Sequence, residues 1–282
     1  MDFETYRGLV QRVLAEDIGS GDVTTEALVP EEERGKAEIS ARQRLVTAGL
    51  PLAAMVFGEL DPSLAVELAV GEGETVEAGA VLIRLEGRLR PILTGERTAL
   101  NILQHLCGVA TETARFVERV RPNRTRVLDT RKTIPGLRRL EKYAVRMGGG
   151  ENHRFGLYDA ILIKDNHLAV VAGAGEGKIS RAVRLAREAR PGLPVEVEVE
   201  TVEEMEEALA AGAEAILLDN FSPAELAEAV RRGGGRARLE ASGGINLDTI
   251  AEVAATGVES VSLGCLTHSA RAADIALEQL IG

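Results

Sequence analysis

The run Val195-Glu196-Val197-Glu198-Val199-Glu200-Thr201-Val202-Glu203-Glu204 switches period half-way along. Its first six residues alternate apolar and acidic, the period of two that a strand imposes. Thr201, with Glu204 three positions later, is a capping-box pattern that opens a helix. A strand feeding straight into a helix is the repeating unit of a parallel sheet. The same unit recurs on both sides. Candidate strands are Arg126-Val127-Leu128, residues 160–163, 195–199 and 215–218, Arg238-Leu239-Glu240, and residues 258–263. Ser222-Pro223-Ala224-Glu225 is a second capping box, with proline at the first helical position. Gly212 and Gly257 stand where helices should end. A closed eight-stranded barrel takes roughly 250 residues, whereas this segment has about 145 and six strands, so an open or incomplete parallel α/β barrel is expected.

The first hundred residues follow a different pattern. Leu9, Val10, Val13 and Leu14 form one helical stripe, and Asp17 to Thr25 reads as a glycine-rich linker. Residues 35–90 read as β-rich, with Ala37, Ile39, Leu45 and Val46 as a strand pair and Leu50 to Leu60 as a helix. Gly71-Glu72-Gly73-Glu74-Thr75-Val76 resembles a lipoyl-domain turn. It has no lysine to carry a cofactor, so it reads as scaffold. A long helix is expected from Thr94, as its cap, to about Val120, buried along Leu100, Leu103, Leu106 and Val109. Arg97 would then lie in its first turn, against the helix dipole, which hints at a ligand or partner. His105 reads as a packed or surface residue.

Composition narrows the function classes. The chain has 282 residues, is 45% hydrophobic and 27% charged, and carries a net charge of −11. That balance speaks against general nucleic-acid binding, which depends on broad phosphate neutralisation. No apolar run approaches the roughly 18 residues of a membrane span, and the acidic N-terminus is no signal peptide. Two distant cysteines, Cys107 and Cys265, imply no disulfide framework, so a reducing, cytoplasmic setting is expected. Against this acidic background, Arg119 to Arg154 holds eleven Lys/Arg and three Asp/Glu, a local charge of +8. Glycines and a proline are interleaved with the cations, so the island reads as an anion-binding site rather than a solvated face.

In parallel α/β folds the ligand lies at the C-terminal strand ends. The strand ends here carry Asp129-Thr130-Arg131-Lys132, Lys164-Asp165-Asn166, the glutamates 196, 198 and 200, Asp219-Asn220, Ser242-Gly243-Gly244 and Gly264. The three glutamates share one strand face and would point inward, where cations or a metal must offset them. A Glu–Asp pair, one carboxylate from this strand and Asp219 from the next, could hold Mg²⁺ through oxygen ligands shared with substrate phosphates. Ser242-Gly243-Gly244 enters a helix and can cradle a phosphate with backbone N–H groups. A strand-end lysine such as Lys164 could form a Schiff base, but nearby Asp165 and Glu198 favour a charge-pairing role.

These residues resemble a known family. Thr130-Arg131-Lys132-Thr133-Ile134-Pro135-Gly136-Leu137-Arg138, the run from Glu141-Lys142-Tyr143 through Gly148-Gly149-Gly150 to Asn152-His153-Arg154, Lys164-Asp165-Asn166-His167, Leu218-Asp219-Asn220-Phe221 and Glu240-Ala241-Ser242-Gly243-Gly244-Ile245 are similar to the quinolinate phosphoribosyltransferases. So are Glu16 to Thr24 and Gly95-Glu96-Arg97-Thr98-Ala99-Leu100-Asn101. The resemblance spans essentially the whole chain. It implies an N-terminal α/β sandwich domain, residues 1–110 completed by 269–282, and an open α/β barrel, residues 111–268. It also implies a homodimer with shared active sites. The implied reaction joins quinolinate and phosphoribosyl pyrophosphate to give nicotinate mononucleotide, pyrophosphate and CO₂ with Mg²⁺ and no organic cofactor, a step of NAD synthesis.

Carried over residue by residue, the resemblance has Arg131, His153, Arg154 and Lys164 bind the two carboxylates of quinolinate, with Arg97 reaching in from the partner subunit and Thr130 beside them. Lys132 would bridge the two substrates. Glu198 and Asp219 would hold the ribose hydroxyls and the Mg²⁺–pyrophosphate, and Lys132, Glu198 and Asp219 would carry the catalysis. Ser242, Gly243, Gly244 and Gly264, with Cys265 and Leu266, would bind the 5′-phosphate. The rival readings are a paralogous molybdenum-transport-associated family with the same fold, a non-catalytic anion-binding protein, and a Schiff-base lyase.

Overall fold

The computed structural model describes residues 2–171 and 177–280. After a short 3-10 turn, the first half runs α1 (Arg7–Ile18), α2 (Val23–Leu28), β1 (Arg34–Ala41), β2 (Leu45–Val46), α3 (Leu50–Leu60), β3 (Ala65–Leu68), β4 (Thr75–Val76), β5 (Val81–Arg88) and α4 (Leu89–Val120). Next come β6 (Arg126–Leu128), α5 (Arg138–Met147), β7 (Ile161–Ile163), α6 (Asp165–Val171), α7 (Lys178–Ala189), β8 (Val195–Val199) and α8 (Val202–Ala210). The chain ends with β9 (Ala215–Asp219), α9 (Pro223–Gly233), β10 (Arg238–Ser242), α10 (Ile250–Ala255), β11 (Ser260–Ser262), α11 (Cys265–His268) and β12 (Ile275–Leu280). Two compact units result: Met1–Ala114 with Pro135–Gly149 and Ser269–Gly282, and Arg115–Ile134 with Gly150–His268.

In the first unit an antiparallel sheet has the order β12-β1-β5-β3. Ile39 faces Ile83 and Ala37 faces Leu85 across β1 and β5, and all four are buried. Helix α3 packs on β3 and β5 and buries Leu52, Ala53, Val56 and Phe57. β2 pairs with β4 rather than with β1, so the strand pair read from residues 37–46 is divided between two sheets. The Gly71 to Val76 turn serves the scaffold directly. Its Glu72 carboxylate accepts the N–H groups of Gly49 and Leu50 at 2.8 and 2.7 Å, capping α3. Tyr143 of α5 donates to the same carboxylate, and His105 bonds the buried Glu141 at 2.9 Å. These contacts tie residues 135–149 to the first unit, although the sequence runs them through the barrel stretch.

Two expectations are corrected here. α4 begins at Leu89, not at Thr94, because Pro91 is tolerated within a first turn. Thr94 therefore lies inside the helix, where its hydroxyl donates to Asp22 at 3.0 Å instead of capping. Arg97 also lies inside the helix, so the dipole argument for it lapses. The Asp17 to Thr25 stretch is more than a linker: Asp22 accepts the Thr25 N–H at 3.0 Å and opens α2.

The second unit is a six-stranded parallel sheet, order β6-β11-β10-β9-β8-β7, built from the six strands legible in the sequence. β6 and β7 are its two ends, and among the described residues no pairing joins them, so the barrel is open. Val195, Val197 and Val199 are buried at no more than 1% exposure, and α7 and α8 pack on their strand. The glutamates of β8 take the opposite, inward face. Ser222 and Glu225 form the full capping box of α9. Thr201 accepts from Glu204 N–H to open α8, while the Glu204 carboxylate reaches back to Glu200 N–H, one residue before the cap. Ile216 is fully buried at the centre of the sheet, on a strand paired on both sides. Ile216→Ala should cost about 2–5 kcal/mol, read from the urea midpoint, and a loss below about 1 kcal/mol would contradict this packing.

Candidate active site

A cavity of about 410 Å³ opens at the C-terminal strand ends of the barrel. Thr130, Arg131, Lys132, His153, Arg154, Lys164, Glu198, Asp219 and Ser242 all line it, with Glu240, Leu162, Leu217 and Ser262. All but His153 and Arg154, which come from the segment between α5 and β7, belong to a barrel strand or the loop after one. Gly243, Gly244, Gly264, Cys265 and Leu266 are not in that lining, and Leu266 is fully buried. Arg97 lies in the first unit, with its guanidinium 3.7 Å from Glu96 and its side chain 58% exposed.

Cations and carboxylates are interlocked. Lys164 Nζ is ion-paired and hydrogen-bonded to Glu198. That pairing is the charge-pairing role read from sequence for Lys164. Burial, and then the neighbouring Arg131, lower the Arg154 guanidinium from its ordinary value. Two arginines held close in a cavity form a site shaped for an anion. Asp129 is fully buried and accepts from Asn152 Nδ2 at 2.6 Å and from the His153 N–H at 2.9 Å, fixing the loop that carries His153 and Arg154. The basic island is therefore divided. Arg131, Lys132 and Arg154 enter the cavity, while Arg138, Arg139, Lys142 and Arg146 lie on α5 of the first unit.

The backbone is shaped to the same end. Asn220 adopts φ 59°, the one left-handed non-glycine among the described residues, and its side chain donates to Asp219 at 2.8 Å. Its N–H bonds Ser242 C=O at 2.9 Å, and a Cβ on Gly243 would meet Asn220 Oδ1 at 2.2 Å. Only glycine lets these two strand-end loops approach so closely. Gly264 acts similarly, since a Cβ there would lie 2.9 Å from Lys132 Cδ and from His268 Nε2. Thr267 Oγ1 donates to Lys132 C=O at 2.6 Å and anchors that residue's backbone.

Sequence reasoning did not single out Glu240 or Asp129, and it saw Glu196 only as one of a row. Below the cavity, ligand atoms of His153, Glu196 and Glu240 lie within 4.8 Å of one another. Burial, and then Glu196 beside it, push the Glu240 carboxyl up to about 7. The alternation used for β8 would have found Glu240, which shares a face of β10 with Ser242. Glu198 and Asp219 line the cavity, and carboxylate oxygens suit a hard cation such as Mg²⁺.

An open parallel α/β barrel with convergent arginines, lysines, carboxylates and a glycine turn defines an enzyme acting on small polyanions. The comparisons with known proteins narrow that class. The quinolinate phosphoribosyl transferase C-terminal domain matches residues 109–278, and the corresponding N-terminal domain matches residues 22–107. The chain is 42% identical over 283 residues to the carboxylating nicotinate-nucleotide pyrophosphorylase of Mycobacterium leprae, covering 98% of each. It is 36% identical over 288 residues to the decarboxylating quinolinate phosphoribosyltransferase 1b of Nicotiana tabacum, covering 96% of this chain and 81% of that one. The solved nicotinate-nucleotide pyrophosphorylase of Francisella tularensis superposes with a TM-score of 0.93 at 38% identity, covering 99% of this chain and 98% of that one. The chain belongs to the quinolinate phosphoribosyltransferase family.

Gly264→Ala tests the link between backbone and site. The added methyl should displace the Lys132 side chain and lower turnover by about tenfold or more. The melting midpoint should move by only about 2–4 °C. Unchanged turnover would show that the path of Lys132 over Gly264 does not matter.

Proposed function

We propose that this chain transfers the phosphoribosyl group of phosphoribosyl pyrophosphate to the ring nitrogen of quinolinate, with loss of CO₂, giving nicotinate mononucleotide and pyrophosphate for NAD synthesis. Family membership supports the reaction. The observation that carries it into this site is the crowding of Arg131 and Arg154 beside His153 and Lys164, across one cavity from Glu198, Asp219 and Ser242. Quinolinate is a dianion, and paired guanidinium groups can fork onto its carboxylates and fix the ring.

In this reading Arg131, His153, Arg154 and Lys164, with Thr130, receive quinolinate, and Arg97 completes the set from a second copy of the chain, so the working unit is a homodimer. Lys132 stands between the substrates and stabilises charge on the departing pyrophosphate. Ser242, Gly243, Gly244 and Gly264, with the backbone of Cys265 and Leu266, hold the 5′-phosphate. Glu198 and Asp219 stabilise positive charge developing at the ribose and bind its hydroxyls. They would also hold Mg²⁺, which when bound supplies charge neutralisation to the pyrophosphate. The ring nitrogen attacks, and the resulting cationic ring accepts the electrons released with CO₂. No nucleophilic side chain and no organic cofactor enter the scheme. No described helix is long and apolar enough to cross a membrane, and the cytoplasm is the proposed location.

The decisive assay offers quinolinate, phosphoribosyl pyrophosphate and Mg²⁺, with nicotinate as a competing acceptor. Nicotinate mononucleotide formed from quinolinate with stoichiometric CO₂ is the expected result, and absence of that product from folded protein would overturn the proposal. Lys132→Ala should lower kcat by about 10²–10³-fold. Glu198→Gln should retain quinolinate binding by calorimetry while losing turnover, which separates an enzyme from a passive anion binder.

A further inference from the structure

The imidazole of His153 is held by the protein on both of its nitrogens. Nδ1 accepts the backbone N–H of Arg154 at 2.7 Å, so the proton of the ring belongs on Nε2. Nε2 lies 3.0 Å from Glu196 Oε2 and 3.5 Å from Glu240 Oε1. Both carboxylates are buried, at 8% and 5% exposure, and no hydrogen bond reaches Glu240 Oε1. Glu196 also faces the Arg154 guanidinium and offsets its burial beside Arg131. A second cavity, about 230 Å³, lies on the other side of this cluster, among the N-terminal strand starts Arg126, Val195, Ala215 and Arg238. The cluster is thus a floor across the barrel, with the strand-end cavity above it. The Arg126 guanidinium of β6, paired with Glu151 at 3.1 Å, adds a small favourable field at Glu240.

We propose that Glu196 and Glu240 are positioning residues for the acceptor: Glu196 holds His153 Nε2–H and braces Arg154 from beneath, and Glu240 backs Glu196, so that an aromatic dicarboxylate meets preformed donors. The inference rests on the proposed function. Neither glutamate needs to touch substrate. Glu196 is one rung below Glu198 on the same face of β8, and Glu240 one rung below Ser242 on β10, which sets both a layer beneath the side chains at the cavity mouth. A cation left without its partner would turn away or draw in water, and its contact with the acceptor would be lost.

The test uses the full chain with Glu196→Gln, Glu196→Leu and Glu240→Gln, in steady-state kinetics varying each substrate. The expected result is a KM for quinolinate raised about tenfold or more in E196L, with the KM for phosphoribosyl pyrophosphate within about twofold of the parent. E196Q, which keeps an acceptor for Nε2–H, should fall between E196L and the parent, and E240Q should move the same constant in the same direction. Equal changes in both KM values, or a fall in kcat or melting temperature alone, would overturn the inference. Nitrogen NMR of the four histidines, with His153→Asn assigning the signal, gives a readout independent of turnover. His153 should be fixed in the Nε2-protonated form in the parent and lose that preference in E196L. Should the parent itself not use quinolinate, the functional reading fails. The histidine signal still decides this inference, which falls if E196L leaves it unchanged.

Discussion

Like charges are forced together inside the barrel, and the rest of the site depends on how that is tolerated. Arg131 and Arg154 crowd each other, and Glu196 and Glu240 do the same one layer below. Either pair alone would carry a heavy desolvation and repulsion cost. Set across from each other, with His153 between them, each pair offsets the other. The arrangement follows from strand alternation. Valines on one face of β8 bury against helices and oblige every second residue to face inward. Inward-facing glutamates then require cations, which the loops after β6 and β7 and the segment 151–154 deliver. The acidic strands and the basic loops of the barrel are two halves of one electrostatic unit.

Delivery of those loops requires unusual backbone. Asn220 in the left-handed region and Gly243 against it bring the ends of β9 and β10 within hydrogen-bonding reach. Gly264 leaves room for the aliphatic stem of Lys132. The buried Asp129 carboxylate does by hydrogen bonds what the glycines do by absence of a side chain: it fixes the backbone of His153 rather than touching a ligand. Conformations of this kind persist only where the surroundings over-determine them. Here the parallel sheet is the over-determining element, because its registers leave the strand ends no freedom to separate.

Much of this was legible in the sequence, and the boundary has physical causes. The six barrel strands and the caps of α8 and α9 could be read because each is a local signal, with a period of two, a capping pair or a terminal glycine. The start of α4 was misread because Thr94 looks like a cap, whereas its hydroxyl answers Asp22, 72 residues away in sequence. The basic island reads as one site because its charges are contiguous in sequence. The fold assigns α5 to the first unit through Glu72 and His105, which no local pattern announces. Glu240 was missed for a third reason. Alternation along β10 puts it on the face of Ser242, but its place beside Glu196 depends on the order of β8, β9 and β10 in the sheet.

The same electrostatics bear on selectivity. In the proposed reading, the free site holds more cation density at its mouth than its own carboxylates match there, and burial, then Arg131, lowers Arg154. A dianion relieves that repulsion on both of its carboxylates. A monocarboxylate of the same ring relieves only part of it and leaves a desolvated cation unpaired. Sites built to pair every buried polar group reject analogues that lack one partner far more strongly than apolar pockets reject a missing methylene. Discrimination between quinolinate and nicotinate would then come less from added contacts to the preferred acceptor than from the repulsion its absence leaves in place. That repulsion is sustained from below by Glu196, which holds His153 Nε2 and faces Arg154, with Glu240 packed beside it.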